Sequence, residues 1–166
     1  MATGLLAFSG IATALYARQA GKAGGQHIRV SLMETAIALL GYHVPAYTMG
    51  GKVPPRDGSG VWHIVPSEAF ATRDGYVLAG ATNDAAWQRL CAAIGATALA
   101  ADPAFATSAL RIENRERVIP ALAAIFATRQ TDDWVEALDA ANVPCAPVND
   151  ISQTLAHPQI AAMKMV

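Results

Sequence analysis

Charged side chains are scarce in this chain of 166 residues. Asp, Glu, Lys and Arg together make up 15% of it, whereas an average soluble domain contains about 25%. The net charge is −1, and no run of lysine and arginine provides a surface for nucleic acid or an anionic membrane. We therefore predict neither a nucleic-acid partner nor a membrane partner. Because 53% of the residues are hydrophobic, we expect part of the surface to be covered by more protein.

Cysteine is also rare, and its two residues, Cys91 and Cys145, lie far apart in the sequence. The chain has no CxxC motif and no histidine-rich spacing, which are the patterns typical of zinc sites. We predict that both cysteines are buried thiols, that they form neither a disulfide nor a metal pair, and that the chain binds no metal. Unpaired thiols are typical of the reducing cytoplasm, so we predict a cytoplasmic location.

The stretch Met1–Ala17 contains no charged side chain. A secretory signal peptide begins with positive charge, and a membrane span needs about 20 predominantly apolar residues, whereas this stretch is interrupted by glycine, serine and threonine. We predict instead a helix from Thr3 or Gly4 to about Ala20. Since this helix is apolar on nearly every side, we expect it to be buried, which requires a partner surface.

A strand and a helix are predicted next. His27–Leu32 alternates apolar and polar residues, a pattern typical of a half-buried strand. Ser31 and Glu34 have the spacing of a capping box, which predicts a helix that begins there and runs to about Met49. Pro45 is expected to end or kink this helix. Its apolar residues are expected to face inward: Ala36, Leu39, Leu40, Val44 and Tyr47.

Glycine and proline are concentrated in Gly50–Pro66, so regular structure is not expected there. We interpret this stretch as a linker between two structural units. The predicted organisation is therefore residues 1–49 as one unit, residues 50–66 as the linker and residues 67–166 as a smaller domain.

The clearest local pattern is a hairpin followed by a helix. Ala69–Thr72 and Tyr76–Ala81 are predicted strands, and Asp74-Gly75 between them is typical of a tight turn. Asn83 has the side chain of a helix N-cap. The helix that follows carries apolar residues on one face: Trp87, Leu90, Cys91 and Ile94. Such a turn presents backbone N–H groups to a ligand, so we consider it a candidate site.

Further helices are predicted toward the C-terminus. Asp102-Pro103 opens a turn or a helix, and Arg111–Ala127 is predicted to be helical with a kink or a split at Pro120. Thr131 is the expected N-cap of the next helix, and Asn142 is its expected left-handed terminator. An extended piece, Val143–Val148, and a capping box at Asp150 and Gln153 complete the pattern. The predicted fold class is α/β, with an α+β small domain that is rich in helix and has a short antiparallel sheet, preceded by a helix–strand–helix.

Six segments stand out in order along the chain: GKAGGQHIRVSLMETA, PPRDGSG, FATRDGYVLAGATNDAAWQRLCAAIG, DPAFATSALRIENRERV, TDDWVEALDAANVPCAPVND and HPQI. Together they resemble the family III CoA-transferases, also called the CaiB/BaiF family, which includes formyl-CoA transferase, the carnitine–CoA enzymes and α-methylacyl-CoA racemase. Single segments are weak signals, but six in order, spread over residues 21–160, are a strong one.

The resemblance implies that this chain is a fragment. Family members are longer, and residues 1–49 resemble the last helix–strand–helix of their large, Rossmann-like CoA-binding domain. Their catalytic Asp carries the acyl group as a mixed anhydride, and it precedes a Thr-Gly pair that resembles Thr3-Gly4. In that register the Asp falls immediately before Met1, so the chain alone is expected to be inactive. Acyl-CoA and a carboxylic acid are the implied substrates, with no tightly bound cofactor, and an interlocked homodimer is the implied assembly.

The resemblance also implies substrate-binding residues. Gly58 and Gly60 match a glycine-rich loop that shields the intermediate, although Gly58–Gly60 is equally typical of a flexible linker. The turn formed by Gly80, Ala81, Thr82 and Asn83 would lie near the acyl group, and the alternative interpretation is that it simply joins a strand to a helix. Ser67 stands where many members have a Tyr, and Val61-Trp62 where many have His-Pro, so the resemblance does not extend to the acyl specificity.

Asn83 bears on the reaction type, because racemase members resemble this sequence here but have a Glu that moves the α-proton. Asn does not titrate, so acyl transfer is favoured over racemisation. Two alternatives stay open: a stand-alone module that binds acyl-CoA or dimerises, and a fragment of a racemase. His43, Tyr47 and His63 are weaker candidates for an acyl site. Arg111, Asn114 and Arg115 match a family pattern, and we predict that they bond and pair within the domain.

Overall fold

The computed structural model describes all residues from Met1 to Val166, and they form two compact units, Met1–Pro55 and Arg56–Val166. The division between these units falls within the glycine- and proline-rich stretch 50–66. No helix in either unit is both long enough and apolar enough to cross a membrane.

The first unit contains three helices: α1 (Ala2–Gln19), α2 (Leu32–Leu39) and α3 (His43–Thr48). The Ser31 hydroxyl accepts a hydrogen bond from the backbone N–H of Glu34 at 3.1 Å, so the predicted cap of α2 is confirmed. Helix α1 has no buried residue. Leu5, Phe8 and Tyr16 are among its large exposed apolar side chains, which contrasts with the predicted buried helix because nothing within this unit covers them.

Two predictions for the first unit are wrong. His27–Leu32 does not form a strand, because this unit has no second strand with which it could exchange backbone hydrogen bonds. The single helix predicted up to Met49 is divided into α2 and α3, and Gly41 between them has a left-handed φ of +53°. Pro45 lies in the first turn of α3, where a missing N–H has little consequence. The residues predicted to face inward from this helix are exposed or only partly buried: Ala36, Leu39, Leu40, Val44 and Tyr47.

The second unit is built on an antiparallel sheet of three strands in the order β1 (Ser67–Ala71), β2 (Tyr76–Gly80), β3 (Cys145–Pro147). Ser67 pairs with Gly80 and Ala71 with Tyr76 in the predicted hairpin. One face of the sheet is buried, since Phe70, Val77 and Ala79 are among the core residues.

The helical segments of this unit are α4 (Asp84–Ala93), α5 (Thr97–Ala101), a 3-10 turn (Pro103–Phe105), α6 (Ser108–Glu113), α7 (Arg115–Phe126), α8 (Thr131–Ala140), α9 (Ile151–Ala156) and α10 (Pro158–Ala162). Helices α7 and α8 pack directly against the sheet. The predicted fold class, rich in helix with a short antiparallel sheet, is confirmed. The apolar face predicted for α4 is buried as expected: Trp87, Leu90, Cys91 and Ile94.

The predicted helix Arg111–Ala127 is divided, but the break lies at Asn114 and not at Pro120. Pro120 lies inside α7, which continues through it. Asn142 has the predicted left-handed conformation, with φ of +54°. Asp150 and Gln153 form the predicted capping box at α9.

Thr131 is the first residue of α8 and not its N-cap, and the cap comes from the hairpin turn. Oδ1 of Asp74 accepts hydrogen bonds from the backbone N–H of Thr131 at 2.8 Å and from its hydroxyl at 2.9 Å. These bonds stabilise the ionised carboxylate, so they hold the pKa of Asp74 below its ordinary value. The turn between β1 and β2 is therefore fastened to the start of α8.

We expect Asp74→Asn to be less stable than the wild type at pH 7. A carboxyl group whose pKa is lowered by folding contributes stability above its unfolded pKa of about 4, and this contribution is lost as the pH falls through the folded pKa. The difference between the urea midpoints of the two proteins should therefore shrink below about pH 4. A difference that is constant from pH 7 to pH 3 would show that the Asp74 charge does not stabilise this contact.

Candidate functional site

The candidate turn begins where β2 ends beside the start of β1. Gly80 and Ala81 are buried, and their backbone N–H groups donate to carbonyl groups of the same unit, Gly80 to Pro144 at 3.1 Å and Ala81 to Pro66 at 2.9 Å. These two N–H groups are therefore not available to a ligand, contrary to the prediction that this turn presents its N–H groups outward. A Cβ built on Gly80 would lie 3.5 Å from the Ser67 hydroxyl, an ordinary contact.

Thr82 and Asn83 complete the turn and are exposed. Oδ1 of Asn83 accepts a hydrogen bond from the backbone N–H of Ala86 at 2.8 Å, so Asn83 is the N-cap of α4 as predicted. Ser67 and the turn 80–83 have no side chain that titrates near neutral pH. The side chains of this surface offer hydrogen-bonding groups, but none of them can transfer a proton near neutral pH.

A buried arginine holds this turn in place. Arg111 is fully buried, and its guanidinium donates to the carbonyl of Val65 at 2.9 Å, to the carbonyl of Phe105 at 3.0 Å and to Oδ1 of Asp84 at 3.0 Å. It thus joins the segment before β1, the 3-10 turn and the first residue of α4. The predicted role of Arg111 in bonding within the domain is confirmed.

The segment Gly58–Gly60 forms a tight turn against β1. Gly58 has a left-handed φ of +61°, and the N–H of Gly60 donates to the carbonyl of Asp57 at 2.8 Å. The hydroxyl of Ser59 accepts from the N–H of Ala69 at 3.0 Å. The turn therefore has a defined position on the strand that begins with Ser67, unlike a flexible linker.

Arg115 connects this turn to the sheet. Its guanidinium lies 2.6 Å from Oε2 of Glu68 and 3.7 Å from Oδ2 of Asp57. Burial raises the pKa of Glu68, the positive charge of Arg115 opposes that rise and the negative charge of Asp57 adds to it. Asp57 belongs to the PPRDGSG segment, but neither it nor Glu68 was predicted to be a site residue. What the two share in the sequence is that they are carboxylates in an apolar chain.

The weaker candidates lie in different units. His43 and Tyr47 belong to the first unit and, with Leu40, Val44 and Pro54, line an apolar groove of about 420 Å³. Nδ1 of His43 is buried and has no hydrogen-bond partner. His63 belongs to the second unit.

The cysteines are not activated nucleophiles. Burial raises the pKa of Cys91 to about 12, although the nearby charge of Arg111 opposes the rise. Burial also raises the pKa of Cys145, whose thiol donates to the carbonyl of Val135 at 3.7 Å. Thiols with raised pKa values are poor nucleophiles at neutral pH, so these residues are packing groups.

Comparison with known proteins decides the family, because the model of CoA-transferase family III matches residues 1–166, the whole chain. This chain belongs to CoA-transferase family III. The acyl-CoA transferase of Fusarium pseudograminearum is 39% identical over 166 residues, which are 100% of this chain and 36% of that protein. The acetyl-CoA:oxalate CoA-transferase of Acetobacter aceti is 33% identical over 98% of this chain and 42% of its own length.

A solved structure shares the fold of this family III chain. The CaiB/BaiF family protein from Brucella suis superposes with a TM-score of 0.81 at 31% sequence identity, over 98% of this chain and 43% of that one. The chain thus spans about two fifths of the length of the relatives it matches, from 36% to 43%.

Proposed function

We propose that this chain is part of a CoA-transferase that moves CoA between two carboxylic acids through an aspartyl-acyl intermediate. The observation that carries the proposal is the family match over the whole chain, together with a relative named as a CoA-transferase for oxalate. In the first step an aspartate oxygen bonds to the thioester carbonyl carbon while the C–S bond breaks and CoA leaves as a thiolate. The thiolate then attacks the aspartyl carbonyl carbon, which forms an aspartyl-CoA thioester and releases the donor acid as its carboxylate. The acceptor carboxylate attacks this thioester, forming a second mixed anhydride and freeing the thiolate. The thiolate finally attacks the acceptor's carbonyl carbon, which gives the new acyl-CoA and regenerates the aspartate.

In this proposal the second unit supplies a surface beside the acyl group. Gly58, Gly60, Ser67 and the turn 80–83 contribute no proton-transfer group, which suits a mixed anhydride that must be shielded from water. Asn83 holds the start of α4 and cannot exchange an α-proton, which favours transfer over racemisation. No carboxylate of this chain matches the position of the family's nucleophilic Asp. We therefore infer that the 166 residues alone do not catalyse CoA transfer.

The test compares this chain with a protein that is extended at its N-terminus by the residues encoded upstream of Met1 in the gene. Both are assayed for CoA transfer from acetyl-CoA to oxalate, and for exchange of α-protons of a 2-methylacyl-CoA in D₂O. We expect no transfer by the 166 residues, transfer by the extended protein if an Asp is encoded immediately before Met1, and no α-proton exchange by either. Transfer by the 166 residues alone would overturn the inferred inactivity, and α-proton exchange would favour a racemase.

A second candidate, a module that dimerises and binds acyl-CoA, is favoured by one observation. Helix α1 has no buried residue and exposes Leu5, Phe8 and Tyr16. Such a surface is typical of a protein–protein contact. A homodimer is consistent with both candidates, and light scattering coupled to size-exclusion chromatography tests it, since a clean monomer would contradict it.

A calorimetric titration with acetyl-CoA tests whether this chain contributes to the thioester site. Micromolar affinity, about −8 kcal/mol, would mean that this chain holds part of the thioester site.

We also propose a cytoplasmic location, because the two cysteines are unpaired and unpaired thiols are typical of that reducing compartment.

A further inference from the structure

Arg115 occupies a position in its helix that is electrostatically unfavourable for a cation unless nearby carboxylates compensate for it. Arg115 is the first residue of α7, where the positive end of the helix dipole repels a cation. Two carboxylates compensate for this: Glu68 on β1 and Asp57 beside the 58–60 turn. All three side chains are mostly buried, with 22%, 12% and 19% of their surface exposed for Arg115, Glu68 and Asp57. The guanidinium therefore joins the turn, the strand and the helix.

Both carboxylates pair with the guanidinium of Arg115. Oδ2 of Asp57 is buried and accepts no hydrogen bond, so the guanidinium 3.7 Å away compensates its charge. Asp57 is also close enough to Glu68 to raise its pKa, so the two negative charges repel each other across the turn. Without the arginine, this repulsion would push the turn away from β1.

Gly60 leaves the space that the pair occupies. A Cβ built on Gly60 would lie 2.6 Å from Oε2 of Glu68 and would also clash with the guanidinium of Arg115. By contrast, nothing lies within 4 Å of a Cβ built on Gly58. A side chain at residue 60 would thus displace the paired ends of Glu68 and Arg115, whereas Gly58 is required by its left-handed backbone.

We propose that Arg115 is a positioning residue that neutralises Asp57 and Glu68, holds the 58–60 turn closed on β1 beside Ser67, and thereby sets the affinity of this surface for an acyl-CoA. The part that concerns affinity rests on the proposed function. The closed position of the turn does not, because it follows from the charges and distances alone.

The position of the turn is measured by amide hydrogen exchange at Val61 and Ala69, whose N–H groups join the turn to β1 by donating to Ser67 and Ser59. In Arg115→Met we expect exchange at these two amides to be at least about tenfold faster, because opening the turn breaks their bonds. Amides of buried α7 residues, such as Leu122, report whether the unit itself stays folded. Arg117→Met is the matched control. Arg117 lies in the same helix as Arg115 and also pairs with a carboxylate, that of Asp102, but at the protein surface.

The double variant Arg115→Met/Glu68→Gln separates repulsion from simple loss of packing. Removing the charge of Glu68 removes the repulsion from Asp57, so exchange at the turn should return toward the wild-type rate. Arg115→Lys should restore it only in part, because an ammonium group cannot hold two carboxylates with a planar fork. Gly60→Ala leaves every charge in the chain, but its Cβ would displace the guanidinium of Arg115 and the carboxylate of Glu68, so it tests the same contact if Arg115→Met does not fold.

The second readout is the affinity for acetyl-CoA measured by calorimetry on the same variants. We expect Arg115→Met to bind about tenfold more weakly, with recovery in the double variant and no change in Arg117→Met. Unchanged exchange at the turn in both Arg115→Met and Gly60→Ala would overturn the proposal. Faster exchange with unchanged affinity would overturn the part concerning affinity. If the wild type does not bind acetyl-CoA, the proposed binding role of this chain fails, while the exchange data still decide the position of the turn.

Discussion

Replacing Arg111 by methionine should lower the free energy of unfolding of the second unit by about 2–5 kcal/mol. Methionine keeps much of the apolar stem, but the carbonyls of Val65 and Phe105 lose their donor in the interior, and each unsatisfied buried group costs about 1–3 kcal/mol. Asp84 adds little, since its side chain is 54% exposed and would be solvated by water. Urea unfolding followed by tryptophan fluorescence measures the change, because every tryptophan of the chain lies in this unit.

Arg117→Met is the control for this experiment too. Arg117 also pairs with a carboxylate, Asp102 at 3.2 Å, but its side chain is 59% exposed, so its loss should cost at most about 1 kcal/mol. Equal losses in the two variants would mean that the buried hydrogen bonds of Arg111 do not stabilise the unit. Beyond stability, we expect Arg111→Met to loosen the start of α4, because Asp84 is its first residue.

Replacing Phe126 by alanine should destabilise the same unit by about 3–5 kcal/mol, the usual loss for a buried aromatic residue. The Phe126 ring stacks on Phe70, with centroids 4.7 Å apart, and meets Trp134 edge-on at 5.2 Å. It therefore joins α7 to the sheet and to α8. The cavity left by the ring would be lined by rigid aromatic groups that cannot collapse into it.

Tyr76→Ala is the matched control, because Tyr76 is an aromatic residue of the same unit that is 54% exposed. Its loss should change the free energy of unfolding by less than about 1 kcal/mol. A similar loss in Phe126→Ala would show that the aromatic cluster contributes no more than a surface residue, contrary to the observed packing.

Local patterns predicted the elements that depend on local chemistry. The hairpin, the Asn83 cap, the buried face of α4 and the capping box at Asp150 each depend on residues close together in sequence, so their spacing was informative. His27–Leu32 was predicted wrongly for the same physical reason: alternation describes a strand, but a strand also needs a partner, which its own unit lacks. The break was predicted at Pro45 because proline usually ends or kinks a helix. It lies at Gly41 instead, and Pro45 is in the first turn of α3, where proline is tolerated.

The candidate site was only partly predictable. Ser67 and Gly80 were singled out separately, and the sheet register places them opposite each other. The roles of Gly58, Gly60 and the turn 80–83 in binding remain predictions. Glu68 and Asp57 were not singled out, because only the fold brings them to Arg115, 47 residues beyond Glu68.

The amino-acid sequence by itself determined the family, the helix-rich fold class and the local caps, because these depend on short spacings and on the order of segments along the chain. Only the tertiary structure decided which polar groups pair across long separations: Asp74 with Thr131, Arg111 with Val65 and Asp84, and Arg115 with Glu68. The physical reason is that burial of a charge is tolerable only beside a compensating group. That group is supplied by whichever segment the packing brings close, which local sequence does not encode.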